Sequence, residues 1–457
     1  MEKYSGSSLA LISESERLSY EELMGLADSH AAHMHSRALV FMKVANNVES
    51  VAFYAGCLRN HIVPLMLNAD IADELWQLLF DEYRPEFVWA PSRDSALEGL
   101  RPVIADRGYV LARTGWESPT LGDELALLLS TSGSTGSPKL VRQSYANIRA
   151  NAESIVEYLG IAPGDRAITT LPFGYTYGIS IVNSHLMAGA AVILNDHPLM
   201  GREFWDLLKC ESATTFGGVP YTYQILDKLR FERMDLPSLR YITQAGGRLG
   251  EELHRKFAEA CAAMGIGFVA MYGQTEATAR MSYLPAECAL DKVGSIGVAI
   301  PGGTFSLLGD DGSVIEEAGV DGELVYSGPN VTLGYATCRS DLAKGDERAG
   351  VLHTGDIARR DNDGFYYITG RKGRFLKVYG NRVGLDELES ILARNGITAA
   401  CTGEDDHVRI YVESRSAKQA VEVAALETGL NQKAFEGIEL SELPRSSAGK
   451  LRYSELT

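Results

Sequence analysis

Cysteine is sparse in this 457-residue sequence, and its spacing puts it to no evident use. The six Cys, at 57, 210, 261, 288, 338 and 401, form no C-x-x-C pair and no Cys/His cluster with zinc spacing. That argues against a zinc site and a disulfide framework; small buried thiols in a reducing compartment are expected. Long apolar runs are absent too. No stretch reaches 18 apolar residues, so no membrane span is expected. The opening MEKYSGSSLALISESE lacks a basic segment followed by a long apolar one, so no signal peptide is expected. A cytoplasmic enzyme or binding protein is the expectation. Positive charge is outnumbered: 43 Lys and Arg face 60 Asp and Glu, a net of −17. A nucleic-acid backbone binder needs a basic stripe, which this balance argues against. An anionic ligand stays possible, because backbone N–H groups and a few cations can hold phosphate inside an acidic protein. Internal repeats and low-complexity tracts are also missing, and the sequence leaves the oligomeric state open.

What is present is alternation. Ser19 and Glu22 have capping-box spacing ahead of Leu23, Leu26 and Ala27, which predicts a helix start. Residues 38–44, 62–67 and 87–90 read as short buried strands, with helices over 48–58 and 73–83 between them. Short Val-, Ile-, Thr- and Phe-rich runs recur at 167–171, 191–194, 213–216, 240–243 and 268–271, with helical segments at 204–209 and 251–264. This order predicts an α/β fold with parallel sheet in βαβ units. From about 290, Gly-rich turns separate short strands, which predicts an antiparallel β subdomain. After Gly370-Arg371-Lys372-Gly373 the texture shifts again to helix, strand and helix. We place a boundary there: a large N-terminal domain, 1–371, and a small C-terminal α+β lid, 372–457. The small part balances 12 Lys and Arg against 13 Asp and Glu, so nearly all the acidic excess lies in the large one.

The most informative segment follows the apolar run Leu127–Leu129. Seven of the nine residues from Thr131 to Lys139 are Gly, Ser or Thr. Glycine lets successive N–H groups converge on an anion, hydroxyls add donors, and Lys139 adds charge. The chemistry suits a polyphosphate. It is not a Walker A loop: only Ser134 and Thr135 separate Gly133 from Gly136, and Leu140 follows Lys139.

Thr131–Lys139 resembles the signature loop of the adenylate-forming (AMP-binding) superfamily, which holds acyl- and aryl-CoA synthetases, adenylation domains of peptide synthetases and firefly luciferase. Further motifs follow in that family's order: Leu171–Gly178, Gln244–Gly247, Tyr272-Gly-Gln-Thr-Glu276, Gly322-Glu-Leu, His353-Thr-Gly-Asp356, Gly370-Arg371, Lys377 with Gly380, and Pro444–Lys450. The resemblance implies ATP, Mg²⁺ and CoA as cofactors. Thr131, Ser132, Gly133, Ser134, Thr135, Gly136 and Lys139 would wrap the leaving phosphates. Glu276 would hold Mg²⁺ and Thr275 would donate to the α-phosphate. Tyr272 would sandwich the adenine against Gly246 and Gly247. Asp356 would accept from the ribose hydroxyls, and Arg371 would reach ribose or phosphate. Lys450 would bridge carboxylate and phosphate as negative charge builds. Tyr175, Val219 and Gln274 would line the acid pocket, with Tyr221 close by. Lys377 and Gly380 would belong to the thiol tunnel.

Three positions depart from the family pattern. Gly373 stands where the hinge residue is usually Asp or Lys. The segment after Arg371 is short and contracted around 402–408. Tyr175 replaces a common His, and Phe173–Gly178 offers no carboxylate for an α-ammonium group, which disfavours amino acids and points to a neutral-tailed fatty or aryl acid. The expectation is a ligase that makes acyl-AMP and passes the acyl group to CoA. The alternatives are transfer to the phosphopantetheine of a separate acyl carrier protein, a fused carrier after Lys450 not being expected, or a non-catalytic nucleotide-binding regulator on the same fold.

Overall fold

The computed structural model describes residues 6–130, 139–379, 381–413, 416–445 and 451–456. Two large sheets dominate. In the first, of eight strands, Leu125–Ser130, Val63–Asn68, Leu39–Val44 and Phe87–Pro91 lie parallel at the centre. Antiparallel strands close both ends: Leu140–Ser144 and Gly334–Ala336 on one side, the hairpin Arg101–Asp106 and Tyr109–Arg113 on the other. In the second, of nine strands, Arg166–Ile168, Thr215–Gly218, Tyr241–Gln244 and Gly267–Tyr272 run parallel. A four-stranded antiparallel sheet follows: Thr304–Leu308, Gly322–Ser327, Val351–Arg360 and Tyr366–Arg371. The expected α/β architecture with its β subdomain is therefore present.

Local chemistry explains where the elements begin and end. Ser19 Oγ accepts from Glu22 N, and Glu22 Oε2 accepts from Ser19 N at 2.8 Å, so the capping box starts helix Tyr20–Ala31. Helix Asp73–Tyr83 ends on Arg84 in the left-handed region, ahead of Pro85. The sequence did not predict helices Tyr145–Leu159, Thr176–Ala188 and Pro220–Lys228. Thr176–Ala188 is wedged between the two sheets. Ile179, Val182 and Leu186 join the first sheet's core, while Tyr177 and Ile181 join the cluster around Val219 and Met271. A helix buried on nearly every side has no polar face, and so no amphipathic signal.

Residues 376–435 enclose a core of their own, built by helices Leu385–Arg394 and Ala417–Thr428 on the strands Ala399–Glu404, His407–Val412 and Phe435–Glu439. The contracted stretch near 402–408 is the tight turn of that first hairpin. Arg248 Nη1 donates to Ser390 Oγ at 2.8 Å, joining this unit to the large sheets.

Candidate active site

The site is organised by one turn. Strand Gly267–Tyr272 ends and the chain reverses through Gly273, Gln274 and the single 3-10 turn Thr275–Ala277. A side chain at Gly273 would place its Cβ 1.7 Å from the Ala279 carbonyl oxygen, so only glycine fits.

Three donors meet at the carboxylate of Asp356, which is buried. The Tyr272 hydroxyl and Gln274 Nε2, the latter at 3.0 Å, donate to Oδ2, and Arg371 Nε donates to Oδ1 at 2.8 Å. Asp356 and Arg371 are cross-strand partners, which brings them together. Burial, and then the Asp356 charge, push the Tyr272 phenol well above its ordinary range, so it remains a donor. Burial opposes the Arg371 cation, but Asp356 outweighs it and keeps the guanidinium protonated. Gln274, expected in the acid pocket, gives its amide to this group and to the Thr354 carbonyl at 3.0 Å.

A second cluster forms around Glu276. Its Oε1 accepts from the Tyr335 hydroxyl at 2.7 Å. Its backbone carbonyl accepts from Thr332 N, from Thr332 Oγ1 and from Arg348 Nη1 at 2.9 Å. Lys139 Nζ sits 3.3 Å from the centroid of the Tyr335 ring, and Arg348 Cζ sits 4.6 Å from it. Tyr335 thus joins the end of the Gly/Ser/Thr loop to the Glu276 turn, and burial pushes its phenol up to about 12. Sequence reading missed Tyr335 and Arg348. Nothing marks a lone Tyr after Gly334; only the pairing of Gly334–Ala336 with Leu140–Ser144 sets it beside Lys139. Thr275 opens the turn, its carbonyl accepting from Thr278 N at 3.1 Å.

Gly246 (φ +83°) brings the acid-pocket candidates together. A Cβ there would stand 2.8 Å from Tyr175 Oη and 3.0 Å from Val219 Cγ1. Gly247 holds Gln244 Nε2 through its carbonyl at 2.9 Å. Tyr175 is the N-cap residue of helix Thr176–Ala188, and burial pushes its phenol up to about 12. Beyond Val219 a cleft of about 450 Å³ opens, lined by Phe173, Tyr221, Asn46, Asn68 and Asn195 among others.

Gly373 adopts φ +92° with open space at its Cβ position. Its neighbours are pinned apart: Lys372 Nζ binds Glu323 Oε2 at 2.7 Å, and Arg374 Nη2 binds Glu389 Oε1 at 2.8 Å. Lys377 pairs with Arg382 across the hairpin Phe375–Val378 and Asn381–Gly384. Thr131, Ser132, Gly133, Ser134, Thr135, Gly136, Gly380 and Lys450 lie outside the described residues.

The model of a family described as "AMP-binding enzyme" matches residues 2–336. The chain belongs to this AMP-binding family. It is similar to the indoleacetate–CoA ligase of Aromatoleum aromaticum, 28% identical over 96% of this chain and 92% of that one. It is equally similar, at 28% identity over 92% of this chain and 88% of the other, to a 2-succinylbenzoate–CoA ligase of Bacillus cytotoxicus. The o-succinylbenzoate CoA synthetase of Bacillus subtilis, solved with its acyl-adenylate OSB-AMP, shares the fold with a TM-score of 0.80 at 23% identity, covering 98% of this chain and 95% of that one. The same synthetase has been solved with ATP and magnesium at the same TM-score.

For a magnesium ion the fit is sound. Tyr335 occupies only one oxygen of Glu276, and Mg²⁺ uses one or two carboxylates together with substrate phosphates. Among the described residues no group of three acidic, His or Cys side chains could form an all-protein cage.

Proposed function

We propose that this AMP-binding enzyme joins a carboxylic acid to the α-phosphate of ATP, releases pyrophosphate, and then transfers the acyl group from AMP to the thiol of CoA. The observation that supports this most is that one turn, Gly273 to Ala277, connects two clusters of opposite use. At one end Asp356, Tyr272 and Arg371 form a hydroxyl-accepting carboxylate group. At the other, Glu276 and Lys139 meet at Tyr335. A nucleotide spanning them has its sugar at the first and its phosphates at the second.

The two reactants are both anions, so the protein's work is to neutralise charge and hold them in line. When bound, Mg²⁺ neutralises phosphate charge. In this reading Glu276 holds that ion, Lys139 leaves the Tyr335 ring for the phosphates, and Thr275 donates to the α-phosphate. Asp356 accepts from the ribose and Arg371 steadies it. Lys450 supplies the cation between carboxylate and phosphate. The small unit 372–457 turns about Gly373 to bring Lys377 and Gly380 towards the thiol. A cytoplasmic setting belongs to the same reading, supported by six free cysteines. Among the described residues no helix is long and apolar enough to cross a membrane.

CoA is favoured as acceptor because relatives matched along nearly the whole chain are CoA ligases. The test is exchange of labelled pyrophosphate into ATP over a panel of acids, followed by thioester formation with free CoA and with carrier proteins side by side. Transfer confined to carrier proteins would select the acyl-carrier ligase. ATP binding without exchange on any acid would select the regulatory protein.

A further inference from the structure

Three Lys or Arg side chains are buried among the described residues: Lys43, Arg142 and Arg280. Lys43 is paired with Asp94 at 2.8 Å, and Arg142 with Glu347. Arg280 has no carboxylate among the described residues. Its Nη1 lies 3.0 Å from Tyr158 Oη and 2.8 Å from Met271 Sδ, and its Cζ lies 4.6 Å from the Tyr177 ring centroid. All these partners are neutral. Its Nε is buried with no acceptor among the described residues. Asp165, the buried acid of this neighbourhood, is committed to Arg240.

The chain goes to some length to put Arg280 there. Thr278 (φ 56°) and Ala279 (φ 114°) are consecutive non-glycine residues with positive φ, a strained path that persists only when its surroundings over-determine it. They do. Thr278 Oγ1 donates to the Asn330 carbonyl at 2.7 Å, and Asn330 Nδ2 and Asn151 Nδ2 both donate to the Arg280 carbonyl at 2.9 Å. Met281 N returns to the Tyr272 carbonyl at 2.9 Å. The strain therefore serves to aim one cation inward, four residues after Glu276.

The neighbours of Arg280 place it beside the residues proposed for the acid pocket. Tyr177, Met271 and Tyr158 belong to the apolar cluster that also contains Val219 and Tyr175, and the Tyr175 and Tyr177 rings stand 6.4 Å apart. A desolvated guanidinium with neutral neighbours is costly alone and strongly attractive to an anion that arrives with the ligand. A neutral tail would leave it unpaired. The lack of a carboxylate in Phe173–Gly178 disfavours an ammonium tail; the structure goes further and supplies the opposite charge.

We propose that the acid carries a second anionic group, a carboxylate or a sulfonate, remote from the carboxylate that reacts, and that Arg280 receives it. The proposal rests on the ligase reading above.

The test is pyrophosphate exchange with matched acids that differ only at the far end: a methyl, a carboxylate or a sulfonate. Wild type should favour an anionic end by about 10-fold or more in kcat/KM, the value of one buried charge-assisted contact. The carboxylate and sulfonate arms show which anion is preferred. Arg280→Gln should lose that preference through the KM of the acid while the KM of ATP stays put, and Arg280→Lys should retain part of it. Melting temperature and ATP binding of each variant report folding; if both variants unfold, the wild-type preference decides alone. Equal use of methyl- and anion-ended acids by wild type overturns the proposal and leaves the ligase intact. An unchanged preference in folded Arg280→Gln also overturns it. Exchange with no acid at all removes the ligase reading, and this proposal with it.

Discussion

Asp356 and Arg371 face each other across two antiparallel strands, with Arg371 Nε 2.8 Å from Asp356 Oδ1. The pair shares its carboxylate with the Tyr272 hydroxyl and the Gln274 amide, so the nine-stranded sheet and the β subdomain are tied at one point.

Asp356→Ala should therefore do two things. It removes the proposed ribose acceptor, and it leaves Tyr272 and Gln274 without their shared partner. We expect the KM of ATP to rise about 10- to 100-fold, since hydrogen bonds to a charged group contribute about 1.5–3 kcal/mol. Pyrophosphate exchange at varied ATP, with the acid saturating, checks this. An unchanged KM would detach Asp356 from the nucleotide.

Tyr335 offers a finer cut. Tyr335→Phe keeps the ring beside Lys139 but removes the donor to Glu276, whereas Tyr335→Leu removes both. The first should weaken binding of ATP with magnesium about 3- to 10-fold and the second more, in line with one hydrogen bond and then a cation–π contact as well. Calorimetric titration with and without magnesium separates the two. A Phe variant that binds as wild type does would make the Tyr335 hydroxyl structural only.

Lys450→Ala should lower adenylation by about 100-fold or more, the scale of removing one charge-stabilising donor. Acyl transfer from supplied acyl-AMP to CoA should be largely retained. Measuring the two half-reactions separately gives the answer, and equal loss in both would contradict a lysine that serves only the first.

His185 gives a pH signature of stability. Burial depresses its pKa from the ordinary 6.5 to about 4, and among the described residues Nδ1 is bonded to the Ile181 carbonyl at 2.8 Å while Nε2 has no partner. Between those pH values the unfolded chain binds a proton that the folded one refuses. Stability is thus fully present above pH 6.5 and drains away towards pH 4, by about 3 kcal/mol in all. His254, lowered chiefly by burial, adds in the same direction. Melting temperature against pH should slope upward through this window, and His185→Leu should flatten it. A slope indifferent to that substitution would place the effect elsewhere.

Much of the molecule is readable before it folds. The alternation of short strands and helices announces the sheets, and Ser19 with Glu22 marks a helix start that the structure reproduces. The helix beneath Tyr175 escapes notice because it is buried on both sides and carries no pattern of period 3.6. Motif residues that are neighbours in sequence, such as Tyr272 to Glu276, reveal themselves as a set. Tyr335 does not: it stands 59 residues from Glu276 and far from Lys139, and only strand pairing unites them.

The sequence by itself determined the helix starts, the strand–helix alternation and, through ordered motifs that resemble the AMP-binding family, the family, because caps, turns and motifs are local facts of residue order. The tertiary structure alone decided which charges find partners. Pairing depends on what packs against what, and it is packing that gives Lys43 and Arg142 a carboxylate while leaving Arg280 a cation among rings and a thioether.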